Sequence, residues 1–324
     1  MMCHYGKKER RMGVTMRNSA VIKKSAIKES PSDRVFLAII YVMLIVIFLI
    51  VAYPLIYILS ASLSDPSVVN SGEMWLFPKE VTFEGYRKIL SNQTIWRGYT
   101  NTIIYTVVGT TVNLLVTIPA GYVLSRKDFP LKNFFTKMMV ITMFVSGGLI
   151  PSYILVNSMG LTNTMWALIL PGAASVYNIV VTRTFFQTSI PDELTEAAVV
   201  DGATDFNIFF LIVLPLAKPI IAVMTLFYGV GHWNQYFQAL LYIDDRSKYP
   251  LQMVLREILV LQDLSSNPTT MMSEETALFL NQQQNLSAII KYGVMIVATL
   301  PIILVYPFLQ KYFVKGVMVG SIKG

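Results

Sequence analysis

MMVITMFVSGGLIPSYILVNSMGLTNTMWALILPGAASVYNIVVT, residues 138–182, runs for 45 residues without an Asp, Glu, Lys or Arg. A helix rises about 1.5 Å per residue, so about 20 apolar residues cross a hydrocarbon layer about 30 Å thick. The stretch is long enough for two crossings. It breaks most naturally at the polar, flexible run Asn157-Ser158-Met159-Gly160-Leu161, giving two antiparallel helices joined by a tight turn. Four more charge-free windows flank it, at 35–64, 98–125, 219–243 and 292–310, each sized for one span. The five windows hold 147 of the 324 residues, and the chain is only 14% charged where a soluble domain has roughly 25%. The sequence therefore predicts an all-α polytopic membrane protein with six transmembrane helices, near 35–60, 100–124, 138–156, 164–183, 219–242 and 290–310.

Composition also removes several chemistries. A single cysteine, Cys3, allows no disulfide within the chain, and two histidines, His4 and His232, cannot build a His/Cys metal cluster. The chain has no GxxxxGK[ST] phosphate loop and no GxGxxG turn after a strand, so it has no visible means of gripping a nucleotide. The net charge of +7 could suggest nucleic acid, but in a membrane protein the first expectation is a bias of basic residues toward cytoplasmic loops.

Counting tests that expectation. Segment 1–34 carries nine Lys/Arg directly before the first apolar run, which puts the N-terminus in the cytoplasm; its polar, aperiodic composition reads as a disordered basic arm beside anionic lipid. Six alternating spans then place 18 basic residues inside and eight outside, with the C-terminal tail 311–324 also inside. Ser60-Ala61-Ser62 looks like a small-residue cleavage site, but the run before it is far longer than a signal core of roughly 7–15 residues, so the span stays.

One cytoplasmic loop departs from the charge rule. Residues 183–218 hold five carboxylates (Asp192, Glu193, Glu196, Asp201, Asp205) against two cations, Arg183 and Lys218. The spacing predicts two short helices. The first starts with Ser189 and Asp192 as an [ST]-x-x-[DE] pair and Pro191 in its first turn, and stops at Gly202; the second starts at Thr204 and runs to Pro215. An acidic knob on the positive side points to a basic protein partner, with a solvated surface helix as the plainer alternative.

Glu196-Ala197-Ala198, three residues, Gly202, nine residues, then Ile212-Val213-Leu214-Pro215 resembles the EAA loop (EAA-x3-G-x9-I-x-LP) of ABC-importer permease subunits at every defined position. Trp233-Asn234 and the ending Gly316-Val317-Met318-Val319-Gly320-Ser321-Ile322-Lys323-Gly324 are similar to the carbohydrate-uptake branch, of the maltose-type second permease. The resemblance covers about 35–324 and implies a type I importer permease fold. It also implies that the EAA helix docks in a cleft of a cytoplasmic ATPase, with Glu196 as the contact, Ala197 and Ala198 as a flat packing face, and Gly202 as the bend. Leu214 would belong to the same coupling set, Pro215 would help end the second helix, and the tail, with Gly316, Gly320 and Gly324, would reach between the ATPase subunits.

Candidates for a substrate path lie in the spans. Trp233, Asn234, Gln235 and Gln238 form an unusually polar and aromatic end to the fifth span, with Asn234, Gln238 and Tyr242 recurring at i, i+4, i+8 on one face. Helix–helix hydrogen bonding and an interfacial aromatic belt explain the same residues equally well. Ser146-Gly147-Gly148 and Pro151-Ser152-Tyr153 could form a hinge and a pore-lining patch, with small-residue helix packing as the commoner cause. The long polar external loop 244–290 stands, over roughly 244–285, where the resemblance implies contact with the solute-binding protein, as in maltose-type permeases.

The expected function is thus a permease subunit importing a carbohydrate, an oligosaccharide by preference, through the bacterial cell membrane by alternating access. The expected partners are a second permease, two ATP-binding subunits that use ATP and Mg, an extracytoplasmic solute-binding protein and membrane lipid, with no nucleic acid. This chain would bind no cofactor or metal, have no catalytic residue and not be an enzyme. Two other readings stay open: an ABC permease for a non-sugar solute, and a secondary transporter. The latter would need a coupling-ion site, and the five windows contain no Asp or Glu.

Overall fold

The computed structural model describes residues 30–265 and 290–307. The arm before residue 30, residues 266–289 of the external loop, the end of the last predicted span and the tail 311–324 lie outside the described residues. In chain order the helices are α1 (Pro31–Ser62), α2 (Pro66–Asn70), α3 (Glu84–Ser91), α4 (Gln93–Ser125), α5 (Lys132–Phe144), α6 (Leu149–Ser158) and α7 (Trp166–Ile169). They continue with α8 (Val176–Ser189), α9 (Asp192–Val200), α10 (Asp205–Asn207), α11 (Leu214–Leu216), α12 (Lys218–Trp233), α13 (Phe237–Tyr242), α14 (Leu251–Ser265) and α15 (Ile290–Pro307). Among the described residues no strand forms beyond an isolated bridge between Ser64 and Val81.

Three of these helices, α1, α4 and α15, are long and apolar enough to cross a membrane alone, and three bent pairs bring the total to six candidate spans. Residues 31–52 form a compact unit's helical part in which Val35, Phe36, Phe48 and Ile50 all stand exposed. A helix apolar on all sides belongs among lipid tails or other helices.

In the unit from Tyr53 onward, α4 is the central post, contacting α8, α12 and α14. Three glycines along it each seat one neighbour. A β-carbon at Gly98 would lie 3.0 Å from Val254 of α14, one at Gly109 would lie 2.5 Å from the His232 ring of α12, and one at Gly121 would lie 2.6 Å from Thr182 of α8. Close approach of backbones at small residues gives dispersion contact, the main packing force when lipid is as apolar as the side chains. Polar threads reinforce it: Thr117 and Tyr228 share a buried hydroxyl hydrogen bond of 2.7 Å, and Arg183 donates to the Leu124 carbonyl at the end of α4.

Three expected spans take a different course. The third is not one helix over 138–156: α5 and α6 meet at 113° across Val145–Gly148, where Gly148 has φ +86 and a β-carbon would meet nothing. Ser146-Gly147-Gly148 therefore lies at a sharp bend, and no side chain among the described residues packs on Gly148. The fourth bends by 51° between Gly172 and Val176, where Ser175 caps α8 by accepting from the Asn178 amide. The fifth stops at Trp233 because Asn234 takes the C-cap, its amide and backbone N–H both donating to the Val230 carbonyl. The helix resumes only at Phe237, so Asn234, Gln238 and Tyr242 do not share one helical face.

The expected tight turn near Asn157–Leu161 is present and is tied to the next loop. Asn163, with φ +60, accepts from the amides of Asp244 and Asp245 at 2.7 and 3.0 Å. The loop after Asp244 then folds back as α14, with Leu251, Met253, Val254 and Ile258 buried, so this part is committed to the chain's own core.

Candidate functional site

α9 and the helical segment after it follow α8 and are largely exposed. α8 runs through Ser189, so Ser189 cannot cap α9; Pro191 holds the N-cap position and no side chain caps the helix. Asp192 instead pairs with Lys127 at 2.6 Å. The stop is a Schellman turn: Gly202 has φ +78, its N–H reaches the Val199 carbonyl, and the Ala203 N–H reaches the Ala198 carbonyl. Thr204 then caps the next helix by accepting from the Asn207 amide. That helix continues from Asp205 through a π-helical stretch, Ile208–Val213, to Leu216, and turns by 76° into α12 at Ala217.

The motif residues divide between two sides. Ala198, Ile208 and Val213 are buried with Ile118, Tyr122, Phe186, Met224 and Tyr228, and Ile212 and Leu214 pack against that cluster. Glu196, Ala197, Gly202 and Pro215 face outward. The two alanines therefore do not make one flat face: Ala198 anchors the helix inward and only Ala197 is exposed. Around them Leu194, Val199, Val200, Phe206 and Leu211 are exposed, with Val200 87% accessible. These apolar side chains alternate along the chain with the exposed carboxylates Asp192, Glu193, Glu196 and Asp201.

A cleft of about 380 Å³ beside α9 is lined by Tyr122, Arg126, Asp128, Phe186, Asp192 and Glu196. Its organiser is Arg126, the C-cap of α4, whose importance sequence reasoning missed. Its guanidinium forks onto Asp128, donates to the Tyr122 hydroxyl at 3.0 Å, and lies 3.6 Å from Asp205. Tyr122 in turn packs edge-on against Phe186 of α8 and at 5.2 Å from Phe209. Arg126 and Tyr122 together thus join the end of α4, α8 and the second helix of the loop. The Arg126 hydrogen bond holds the Asp128 carboxyl below its ordinary range, and Asp192 raises Lys127. Two of the five loop carboxylates are therefore neutralised internally, while Glu193, Glu196 and Asp201 form no ion pair among the described residues.

Arg126→Ala is expected to lower stability on the order of 1–2 kcal/mol, the range for losing charged hydrogen bonds with a partly exposed partner. Thermal unfolding of the purified chain in detergent measures it, and Arg126→Lys should recover only part, lacking the fork. Because the folded pKa of Asp128 is depressed, the contribution is present above its unfolded value of 3.8 and is lost as pH falls through the folded one. An unchanged midpoint at neutral pH would remove Arg126 as an organiser.

The path candidates are scattered by their local bonds. Trp233 is buried and donates to the Ala298 carbonyl at 2.9 Å, and Asn234 is used as a cap. Tyr153 stacks on Tyr242 at 6.0 Å. Gln235 and Gln238 alone share a cavity, with His232. Asn113, fully buried and hydrogen-bonded to His232 at 2.7 Å, belongs to the same network. An amide in the middle of a charge-free window was the available signal for it. No group of His, Cys, Asp and Glu among the described residues is arranged to hold a metal.

Residues 24–319 match the family described as binding-protein-dependent transport system inner membrane component. The chain is 42% identical over 272 residues to Protein LplC of Bacillus subtilis (strain 168), covering 84% of this chain and 89% of that one. It is 40% identical over 292 residues to the polygalacturonan/rhamnogalacturonan transport system permease protein YtcP of the same organism, covering 90% and 99%. In structure it is similar to a chain from the crystal structure of a bacterial ABC transporter involved in the import of the acidic polysaccharide alginate. The TM-score is 0.78 at 33% identity, with 88% of this chain and 99% of that chain covered. With up to six candidate spans and an EAA loop whose residues split between core and surface, this chain belongs to the binding-protein-dependent transport system inner membrane component family, as a permease subunit of an ABC importer.

Proposed function

We propose that this chain is one of two permease subunits of an ATP-driven importer of oligosaccharides in the bacterial cytoplasmic membrane. Both termini and the EAA loop would lie on the cytoplasmic side, as the excess of 18 basic residues over eight favours. The observation that carries the reading is the exposed patch of α9 and the segment behind it, where Glu196, Ala197, Val200 and Phe206 stand free of the chain's own core. A cytoplasmic ATPase covers that patch, and ATP with Mg is bound there and not by this chain.

The mechanism is alternating access. ATP-driven closure of the ATPase dimer carries α9, and Ala198 transmits the displacement into the cluster it shares with α4, α8 and α12. This chain makes and breaks no bond; it converts the ATPase's differential binding of nucleotide into a population shift of the pore. Relatives named for polygalacturonan, rhamnogalacturonan and alginate support a uronic-acid oligosaccharide as substrate. The spans of this chain offer such a substrate neutral hydrogen-bonding groups only, since their charge-free windows hold no cation.

Purification of the tagged chain in mild detergent is expected to bring down a second permease and a chain with a nucleotide phosphate loop. Reconstituted with its binding protein, that complex should take up oligogalacturonides in an ATP-dependent manner. A lone, monodisperse chain that transports without ATP would overturn the reading, and ATP-dependent uptake of peptides but no sugar would replace its substrate class.

A further inference from the structure

A cavity of about 320 Å³ lies where α12 ends, lined by Leu168, Phe227, Tyr228, His232, Gln235 and Gln238. Its volume falls in the roughly 300–1,000 Å³ range of ligand pockets. The hydrogen-bond network on its wall is one hydrogen short. Asn113 uses both amide hydrogens on the carbonyls of Gly172 and Ala173, at 2.7 and 3.0 Å, so its Oδ1 can only accept. His232 Nε2, 2.7 Å from that oxygen, therefore carries the ring hydrogen, and in the neutral imidazole Nδ1 is an acceptor. Gln235 donates through Nε2 to the Leu168 carbonyl at 2.8 Å, which turns its Oε1 toward Nδ1 at 3.3 Å. Two acceptors then face each other.

No reorientation of these groups cures the mismatch. Turning the Gln235 amide over sets its oxygen against the Leu168 carbonyl; turning Asn113 over sets its oxygen against two carbonyls; turning the imidazole sets a C–H against Asn113 Oδ1. A proton on Nδ1 would close the network, but it would create a cation with no counter-charge. The charge-free windows 98–125, 138–182 and 219–243, which supply the neighbouring helices α4, α7, α8, α12 and α13, hold no Asp or Glu. The remaining resolution is a donor entering from the cavity.

We infer that His232 Nδ1 and Gln235 Oε1 form a paired acceptor for a sugar hydroxyl of the transported oligosaccharide, an assignment that rests on the importer reading above. A hydroxyl can share one hydrogen between two acceptors this close. The aromatic residues Phe227 and Tyr228 line the same cavity, and apolar ring faces are what sugar rings lie against. The Tyr228 hydroxyl is held by Thr117 at 2.7 Å, leaving the paired acceptor and Gln238 as polar groups for the ligand. Gly109 is part of the site as well: any β-carbon there would lie 2.5–2.8 Å from the His232 ring and push it off Asn113.

The test uses the assembled transporter labelled with 15N-histidine, with the His232→Phe spectrum subtracted to isolate the His232 signals. The expected result is an Nδ1 without hydrogen at neutral pH, whose resonance moves when the binding protein delivers galacturonic acid trisaccharide or maltotriose. A protonated Nδ1 overturns the inference. So does a resonance that no imported probe moves, because solvent then supplies the donor. Uptake of no oligosaccharide at all overturns the importer reading instead, and the ligand class with it. As a second variant, Gly109→Ala should cut uptake about tenfold and abolish the probe-induced movement of the His232 resonance with complex yield retained, whereas a parallel loss of complex yield and uptake would assign Gly109 and His232 a packing role only.

Discussion

Gly202→Asp is expected to leave the chain inserted and assembled but to abolish productive uptake, at tenfold or more, with ATP hydrolysis continuing uncoupled. Gly202 closes the Schellman turn of α9 with φ +78, and a β-carbon there would meet nothing within 4 Å. Within the chain, then, the change adds only the cost of a left-handed non-glycine residue, about 1–2 kcal/mol, and least for Asp and Asn. The open space above Gly202 is where the proposed ATPase contact lies, so a carboxylate there must be buried against a partner. An unpaired buried charge costs several kcal/mol, enough for a loss well beyond tenfold. Gly202→Asn keeps the size without the charge and should retain part of the uptake. Measured in proteoliposomes, unchanged uptake by Gly202→Asp would remove Gly202 from the coupling contact.

Gly121→Leu should have the larger effect on the chain itself: its accumulation in membranes is expected to collapse. A β-carbon at 121 would lie 2.6 and 2.9 Å from side-chain atoms of Thr182 and 3.1 Å from the Arg183 backbone nitrogen. Thr182 is fully buried, and backbone cannot swing aside as a flexible side chain does. Overpacking costs about 1–3 kcal/mol where neighbours can shift and more where helices must part. Here α8 would have to leave α4, opening the cluster that holds Ala198 and Tyr122 as well. Gly121→Ala should show a milder loss, partly recovered by Thr182→Ala, which removes the nearer atom. Fluorescence-detected size exclusion of tagged variants reads both, and wild-type accumulation of Gly121→Leu would refute the close crossing.

Legibility of the sequence followed the length scale of the force involved. The absence of charge over tens of residues reports directly on the solvent, so the six candidate spans were readable from 35–64, 98–125, 138–182, 219–243 and 292–310. Breaks within spans were half readable. Gly148 announced its bend, because glycine is the residue that reaches φ +86 at little cost, whereas the stop at Asn234 was hidden because its polar and aromatic neighbours suit one face of a continuing helix as well as a break. The EAA loop was legible as a motif, but not its division: Ala197 and Ala198 look alike in sequence, and only the register of α9 against α4 buries one and exposes the other.

The sequence by itself determined that this chain lives in a bilayer and that one acidic loop sits among its spans, because hydropathy and charge are additive along a chain and need no partner to be counted. The structure alone decided that Arg126 and Tyr122 together tie three helices, that Gly109 makes room for His232, and that Asn113, His232 and Gln235 meet in one network. These depend on contacts between residues as far apart as 113 and 232, whose distance and direction are set by how helices pack, and no local pattern encodes them.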